Sequence, residues 1–388
     1  MKYFIIAGET SGDIHGANLI RQIKNMDEHA HFCYVGGEEM QKVIGEQGIQ
    51  IEDSKKIALM GFWEVFTHLL ILLKLWFKCQ KMLKEYFPDV VVLIDYPGFN
   101  LRFAKFAKML NFSVIYYISP KIWAWKTSRI HQIKKYVDKM LCILPFEPEF
   151  YQKYNYKDRI FYVGNPTVNT VENFKTEKNK NVNTKDEFLI KYHLKKDKEI
   201  IAVLPGSRTQ EIKKMLPLLC KISLEFPEYQ WVIAGAQGQN KAKYEKILTP
   251  YPHLFWIENQ SYELLNYANF ALVKSGTSTL ETLVFQVPQI VFYKTSLFSY
   301  LIAKFFVKIP YISLVNLIAG KKIVEELIQY EFNFKNLTEQ IKNLKSSREK
   351  MQKEYQICLE KLGQQDASYQ AAKIIFTEAI LKEKSNLY

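Results

Sequence analysis

Short apolar runs recur along this chain. Each ends in a turn and is followed by a helix-like stretch, and this rhythm constrains the fold more than any other feature. In the first half the runs are Tyr3–Ala7, Phe32–Val35, Val90–Ile94, Val114–Ile118, Met140–Leu144 and Ile160–Val163. Helical patterns lie between them, as at Ala17–Lys24, Phe62–Lys84 and Leu101–Leu110. Apolar runs without polar alternation suit parallel strands covered on both faces. Strand–helix alternation then implies right-handed crossovers and an open, doubly wound α/β sheet.

The rhythm breaks once. "NFKTEKNKNVNTKDEF", Asn173–Phe188, is polar and Asn/Lys-rich and reads as a linker or loop. It then restarts with strands expected at Ile200–Leu204, Trp231–Ala234, Leu254–Ile257, Phe270–Val273 and Gln289–Phe292. The expected organisation is a Rossmann-like domain over 1–168, a linker over 169–190 and a second such domain over 191–340. Helices follow over 341–388, interrupted at Gly363. At 388 residues two domains are the natural division.

A hydrophobic fraction of 48% and a charged fraction of 24% exclude a disordered chain. The net charge of +13 favours anionic partners: nucleic acid, membrane or phosphorylated small molecules. No aromatic–basic RNA motif, zinc finger or helix-turn-helix pattern accompanies it, so nucleic acid is not expected. Five scattered cysteines without C-x-x-C spacing argue against zinc and a disulfide framework, and fit a reducing compartment. The first residues lack the pattern of a signal peptide.

In open α/β sheets ligands bind beyond the carboxyl ends of the strands, so the chemistry is sought there. In "LPGSRTQEI" a strand runs into Gly206, Ser207 and Arg208 and then a helix. Free backbone N–H groups, the helix dipole and a guanidinium suit phosphate oxygens. "KSGTSTLE" repeats the design with Ser275, Gly276, Thr277, Ser278 and Thr279. Glu281 reads either as half of a Ser278-x-x-Glu281 capping box or as an acceptor for a ribose diol. There is no Walker motif and no G-x-G-x-x-G.

The opening loop "AGETSGDIHGA" differs. Glu9 and Asp13 would repel a pyrophosphate, so with Ser11, Gly12 and His15 it is expected to face hydroxyls or a cation. In "IDYPGFN", Asp95 stands just past a buried strand, where it either orders the turn or takes a proton from an attacking hydroxyl; Asn100 follows. "YYISPKIWAWK" adds Ser119, Lys121, Trp123 and Trp125 as cleft candidates. "MGFWEVFTHLLILLKLWFK", Met60–Lys78, is apolar nearly all round but interrupted by charge. It is too short on uncharged residues to span a bilayer, where about 18 or more are needed. Phe62, Trp63, Leu69, Leu72, Leu73, Trp76 and Phe77 are candidates for membrane-surface contact.

Together these stretches resemble the lipid-A-disaccharide synthase family, inverting glycosyltransferases of GT-B type. "AGETSGDIHGA", "IDYPGFN", "YYISPKIWAWK", "LPFEPEFY", "VGNP", "LPGSRTQEI", "SGTSTLE" and "PYISLVNLIAGKKIVEELIQ" occur in family order over roughly residues 1–330. The resemblance implies two Rossmann-like domains facing across a cleft, with the C-terminal helices returning to the N-terminal domain. It implies a UDP-2,3-diacylglucosamine donor, a 2,3-diacylglucosamine 1-phosphate acceptor and a β(1→6)-linked disaccharide, an intermediate of Gram-negative lipopolysaccharide. It carries Arg208, the Ser275–Glu281 loop and Asn316 to the UDP side, and Asp95, Glu9 and Asp13 to the reaction side. Peripheral association with the cytoplasmic face of the inner membrane follows from acylated substrates. No cofactor or metal is expected, and the oligomeric state stays open. Asn165, Val315 and Lys274 depart from the family's usual residues. The alternative is another UDP-N-acetylglucosamine enzyme on the same fold, a lipid-linked glycosyltransferase or a 2-epimerase.

Overall fold

The computed structural model describes residues 1–54, 65–180, 184–235, 242–307 and 309–386. The chain divides into two compact units, one of Met1–Pro166 with Gln365–Tyr388 and one of Thr167–Gln364.

The first unit holds seven parallel strands: β1 (Lys2–Ala7), β2 (His31–Gly36), β3 (Gly48–Asp53), β4 (Val90–Ile94), β5 (Val114–Tyr117), β6 (Lys139–Cys142) and β7 (Ile160–Tyr162). Their order is β3-β2-β1-β4-β5-β6-β7. Among the described residues its helices are α1 (Thr10–Met26), α2 (Glu38–Ile44), α3 (Val65–Tyr86), α4 (Pro97–Met109), α5 (Ile130–Tyr136) and α6 (Glu147–Gln152). Every residue of β4 is buried, which is why it reads as a continuous apolar run. One face of the sheet packs on α3 and α4 through Leu75, Cys79, Leu83 and Phe103. The other packs on α1 and on the C-terminal helix.

The second unit holds six parallel strands: β8 (Ile200–Leu204), β9 (Gln230–Gly235), β10 (Phe255–Glu258), β11 (Phe270–Lys274), β12 (Gln289–Tyr293) and β13 (Glu325–Ile328). Their order is β10-β9-β8-β11-β12-β13. Its helices are α7 (Pro166–Lys180), α8 (Lys185–Lys191), α9 (Thr209–Ile222), α10 (Ala242–Leu248), α11 (Ser261–Tyr267), α12 (Thr277–Val284), α13 (Leu297–Phe306), α14 (Leu314–Ala319) and α15 (Phe334–Leu362). The last helix, α16 (Ala367–Asn386), belongs to the first unit, where it lies along α1. Ala371, Ala372, Ile375 and Ala379 carry it into the core there. Its Glu378 accepts from Ser113 Oγ at 2.6 Å and pairs with Lys139 at 2.7 Å.

Two expectations change. The stretch read as a linker is largely helical, in α7 and α8, and α8 opens with a capping box between Thr184 and Glu187. Lys and Glu are good helix formers, and a helix exposed to water needs few apolar residues. The sequence reading also lacked β3 and β13. Both are edge strands, and their polar residues Gln50, Glu52, Glu325 and Glu326 hide the strand pattern.

Candidate functional site

In the first sheet the strand order reverses between β1 and β4, which pair with Ala7 opposite Ile94. Such a switch point leaves a crevice beyond the strand ends. Gly8 sits there because a Cβ would lie 2.3 Å from the ring of Tyr96. Asp95 and Tyr96 both take left-handed backbone conformations, with φ of 44° and 50°. This is uncommon outside glycine and stores strain. Side chains hold the turn in place: Asn100 Nδ2 donates to the Asp95 carbonyl at 2.7 Å, and the Tyr116 hydroxyl donates to the same oxygen.

The Asp95 carboxyl is pushed up to about 6, first by burial and then by the nearby Glu9 carboxylate. Lys121 and the Tyr96 backbone N–H oppose that rise. Asp95, Glu9 and Lys121 therefore form one electrostatic cluster drawn from three strand ends. A carboxyl that ionises near pH 6 can accept a proton from a hydroxyl at neutral pH.

The other candidates of this unit have different work. Asp13 is 5% exposed, and both its oxygens are occupied. It accepts from Gly37 N at 2.7 Å, Met40 N at 3.1 Å and Glu39 N at 3.0 Å, so it anchors the start of α2. Asn100 ties together carbonyls of β1 and β4 as well as that of Asp95. His15 is held neutral, with burial lowering its pKa to about 4, and its Nδ1 has no partner among the described residues. Ser11 is exposed and Gly12 buried in the first turn of α1. Ser119 shares a 2.8 Å hydrogen bond with Tyr151. Trp123 Nε1 donates to Glu147 at 3.1 Å, whereas Trp125 is exposed beneath Lys126.

Glu147 was missed by the sequence reading. It is 1% exposed, and it also accepts from the backbone N–H groups of Ile143 and Leu144. Burial raises its pKa to about 7 against those hydrogen bonds. The sequence shows only an acid at a helix start before a proline, which is ordinary.

Of the membrane candidates, Phe62 and Trp63 lie outside the described residues, as does the side chain of Leu69. Leu73 and Phe77 are exposed with Leu70 along one face of α3. Trp76 turns inward instead, edge-on to Phe99 and Phe103, and Leu72 packs on the same core. In the second unit α13 exposes Leu297, Leu301, Phe305 and Phe306, a face the sequence reading did not single out. Among the described residues no helix is long and apolar enough to cross a membrane.

The second sheet reverses its order between β8 and β11, so the loops after these strands lie side by side. Gly206 has φ of 100°, and a Cβ there would meet Glu211 Oε2 at 2.6 Å. Lys274, at the end of β11, pairs with Glu211 at 3.0 Å and links the two loops. Ser207 and Arg208 are exposed, and Arg208 caps the start of α9 without a side-chain hydrogen bond. Ser275 Oγ donates to the Ile312 carbonyl at 2.9 Å. The N-cap of α12 is Gly276, followed by exposed Thr277 and by Thr279, which is buried and donates to the Gly276 carbonyl. Of the two readings of Glu281, the capping box with Ser278 is not how this helix starts. Glu281 accepts from Tyr262 at 3.1 Å and from the Ser278 side chain, and burial raises its pKa.

Asn316 is fully buried and its amide is saturated inside the protein. It donates to Val324 O and Glu326 and accepts from Ile323 N and Val324 N, which fastens α14 to the lead-in of β13. Its side chain is a scaffold rather than a free ligand group. The remaining edge combines a glycine turn, hydroxyls, an exposed guanidinium and helix N–H groups, a set that can hold an anion. Among the described residues no cluster of three or more His, Cys, Asp or Glu is placed to hold a metal ion.

Comparison with known proteins agrees with this arrangement. Lipid-A-disaccharide synthase of Nitrosococcus oceani is 35% identical over 368 residues, covering 92% of each chain. UDP-GlcNAc 2-epimerase from Neisseria meningitidis, solved with UDP-GlcNAc, superposes with a TM-score of 0.60 at 15% identity, covering 98% of this chain and 100% of that one. UGT89C1 of Arabidopsis thaliana superposes with a TM-score of 0.61 at 13% identity, covering 97% and 99%. The structural likenesses speak to fold alone, which is the GT-B type with two Rossmann-like doubly wound domains. The family model for lipid-A-disaccharide synthetase matches residues 3–378, and the chain belongs to that family.

Proposed function

We propose that this glycosyltransferase joins UDP-2,3-diacylglucosamine to 2,3-diacylglucosamine 1-phosphate and releases UDP. The acceptor's 6-hydroxyl oxygen attacks the anomeric carbon of the donor from the face opposite UDP. The new C–O bond forms as the bond to UDP breaks, which inverts the linkage from α to β. Asp95 takes the hydroxyl proton. The observation that carries this reading is the Asp95 carboxyl, pushed up to about 6 and clustered with Glu9 and Lys121 on a strained turn. Its pKa lies close enough to neutrality for general-base work.

In the second unit, Arg208 and the N–H groups of the Ser275–Thr279 loop receive the charge that develops on the leaving diphosphate. Glu281 accepts from the ribose diol. No cofactor or metal is invoked. The exposed apolar faces of α3 and α13 support peripheral contact with the membrane that carries the acylated substrates. The test is purified protein with both acylated substrates, read by mass spectrometry. Equimolar UDP and a disaccharide 1-phosphate are expected. Conversion of UDP-N-acetylglucosamine alone to its 2-epimer, without disaccharide, would replace this reading with the epimerase.

A further inference from the structure

The first unit contains a groove of about 930 Å³ walled by α3, α4, α5 and the turn before α5. That volume is at the upper end of the range for small-molecule sites, about 300–1,000 Å³. Its floor is aromatic: Trp76 stands edge-on to Phe99 at 5.6 Å and tilted against Phe106 at 6.1 Å. Its rim is cationic, with Arg102, Lys105, Lys126 and Arg129, and among the described residues no carboxylate lines it. None of these four cations forms an ion pair among the described residues. An apolar trough with an uncompensated basic rim selects an anionic amphiphile.

The position of the groove narrows the occupant further. Tyr96, Pro97 and Gly98 form part of its wall, and they follow Asp95 directly in the chain.

We infer that the groove receives one acyl chain of the acceptor, whose phosphate is drawn to Lys126 and Arg129. This rests on the function proposed above and adds to it a subsite that sets acyl-chain length. Burial of a methylene contributes enough affinity that each two carbons removed from the chain raises the acceptor KM by roughly tenfold.

The test uses Gly98, which lines the groove and where an added Cβ meets no heavy atom within 4 Å. Gly98→Leu therefore adds bulk to the groove from a position whose Cβ is unobstructed. Steady-state kinetics with acceptors of graded chain length, at saturating donor, read the result. The expected outcome is a tenfold or greater rise in KM for the long-chain acceptor, little change for a short-chain one, and unchanged UDP affinity. Phe106→Ala, which widens the floor, serves if the first variant fails to fold; it is expected to weaken chain-length discrimination. Lys126→Ala with Arg129→Ala is expected to raise KM for all phosphorylated acceptors while leaving the chain-length dependence intact.

Chain-length dependence as steep in Gly98→Leu as in the parent overturns the subsite. So does loss of binding to phosphatidylglycerol vesicles with that dependence intact, since the groove would then hold a bilayer lipid. In both cases disaccharide formation persists and the proposed function stands. Absence of disaccharide from the parent protein overturns both.

Discussion

The two sheets reverse their strand order at equivalent points, β1/β4 in the first unit and β8/β11 in the second, yet they dress that point in opposite ways. The first places a half-buried carboxyl on a strained turn, under the influence of a second carboxylate nearby. The second places a glycine turn, hydroxyls and an exposed arginine. The glycines serve different neighbours. Gly8 admits an aromatic ring, whereas Gly206 admits a carboxylate that is paired with Lys274. On the function proposed above, one topology serves a proton acceptor in one unit and an anion receptor in the other, and the side chains of two or three loops make the difference.

The largest expected effect tests the acidic half. Asp95→Asn is expected to lower kcat by about 10²–10⁴-fold with UDP affinity retained. In the parent enzyme kcat/KM is expected to fall about tenfold per pH unit below about 6, because the protonated carboxyl cannot accept a proton. A variant with near-normal turnover and the same acid limb would remove Asp95 from this role.

Next in size is a stability effect at Glu147. Its pKa in the folded protein, about 7, lies above its ordinary value of 4.5, so the folded state holds the proton more tightly than the unfolded state. The associated stability is fully present below pH 4.5 and is lost as pH rises through 7, a span worth about 3 kcal/mol. Asp95 adds a slope of the same sign. Glu147→Gln is expected to flatten, but not abolish, the decline in unfolding free energy between pH 5 and 8 measured with urea. An unchanged slope would assign it to other groups.

The basic half is sharpened by Arg208→Ala. Loss of a charged hydrogen-bonding partner is expected to weaken UDP binding about 10- to 100-fold in calorimetry, while the acid limb of the rate profile stays where it was. A shifted limb would mean that the two halves are not independent. Ser275→Ala should have the smallest effect. It loses the hydrogen bond to Ile312 and is expected to cost about 1 kcal/mol of stability in denaturant titration.

The buried strands were legible because short apolar runs such as Val90–Ile94 suit strands covered on both faces. Edge strands β3 and β13 were not, since a strand open to water on one side keeps polar residues. The motifs fall in the loops at the two switch points, but residue type alone could not assign partners. Asp13 and Asn316 sit in motif stretches, and their hydrogen-bonding groups are taken up by the protein's own backbone and side chains. Glu147 shows the reverse error: an unremarkable acid in sequence becomes a buried carboxyl titrating near neutrality once Trp123 and two backbone N–H groups surround it. Trp76 read as an interfacial anchor because an apolar helix does not reveal which of its faces is covered.

The placement of α16 has a consequence for how the molecule is made. The groove that α1 offers to Ala371, Ala372 and Ile375 stays empty until all of Thr167–Gln364 has been translated. At about 5–20 residues per second that delay is tens of seconds. The unit that begins synthesis first is therefore the last to be finished. A nascent chain stalled in between would present an uncovered apolar seam to the chaperones at the ribosome exit.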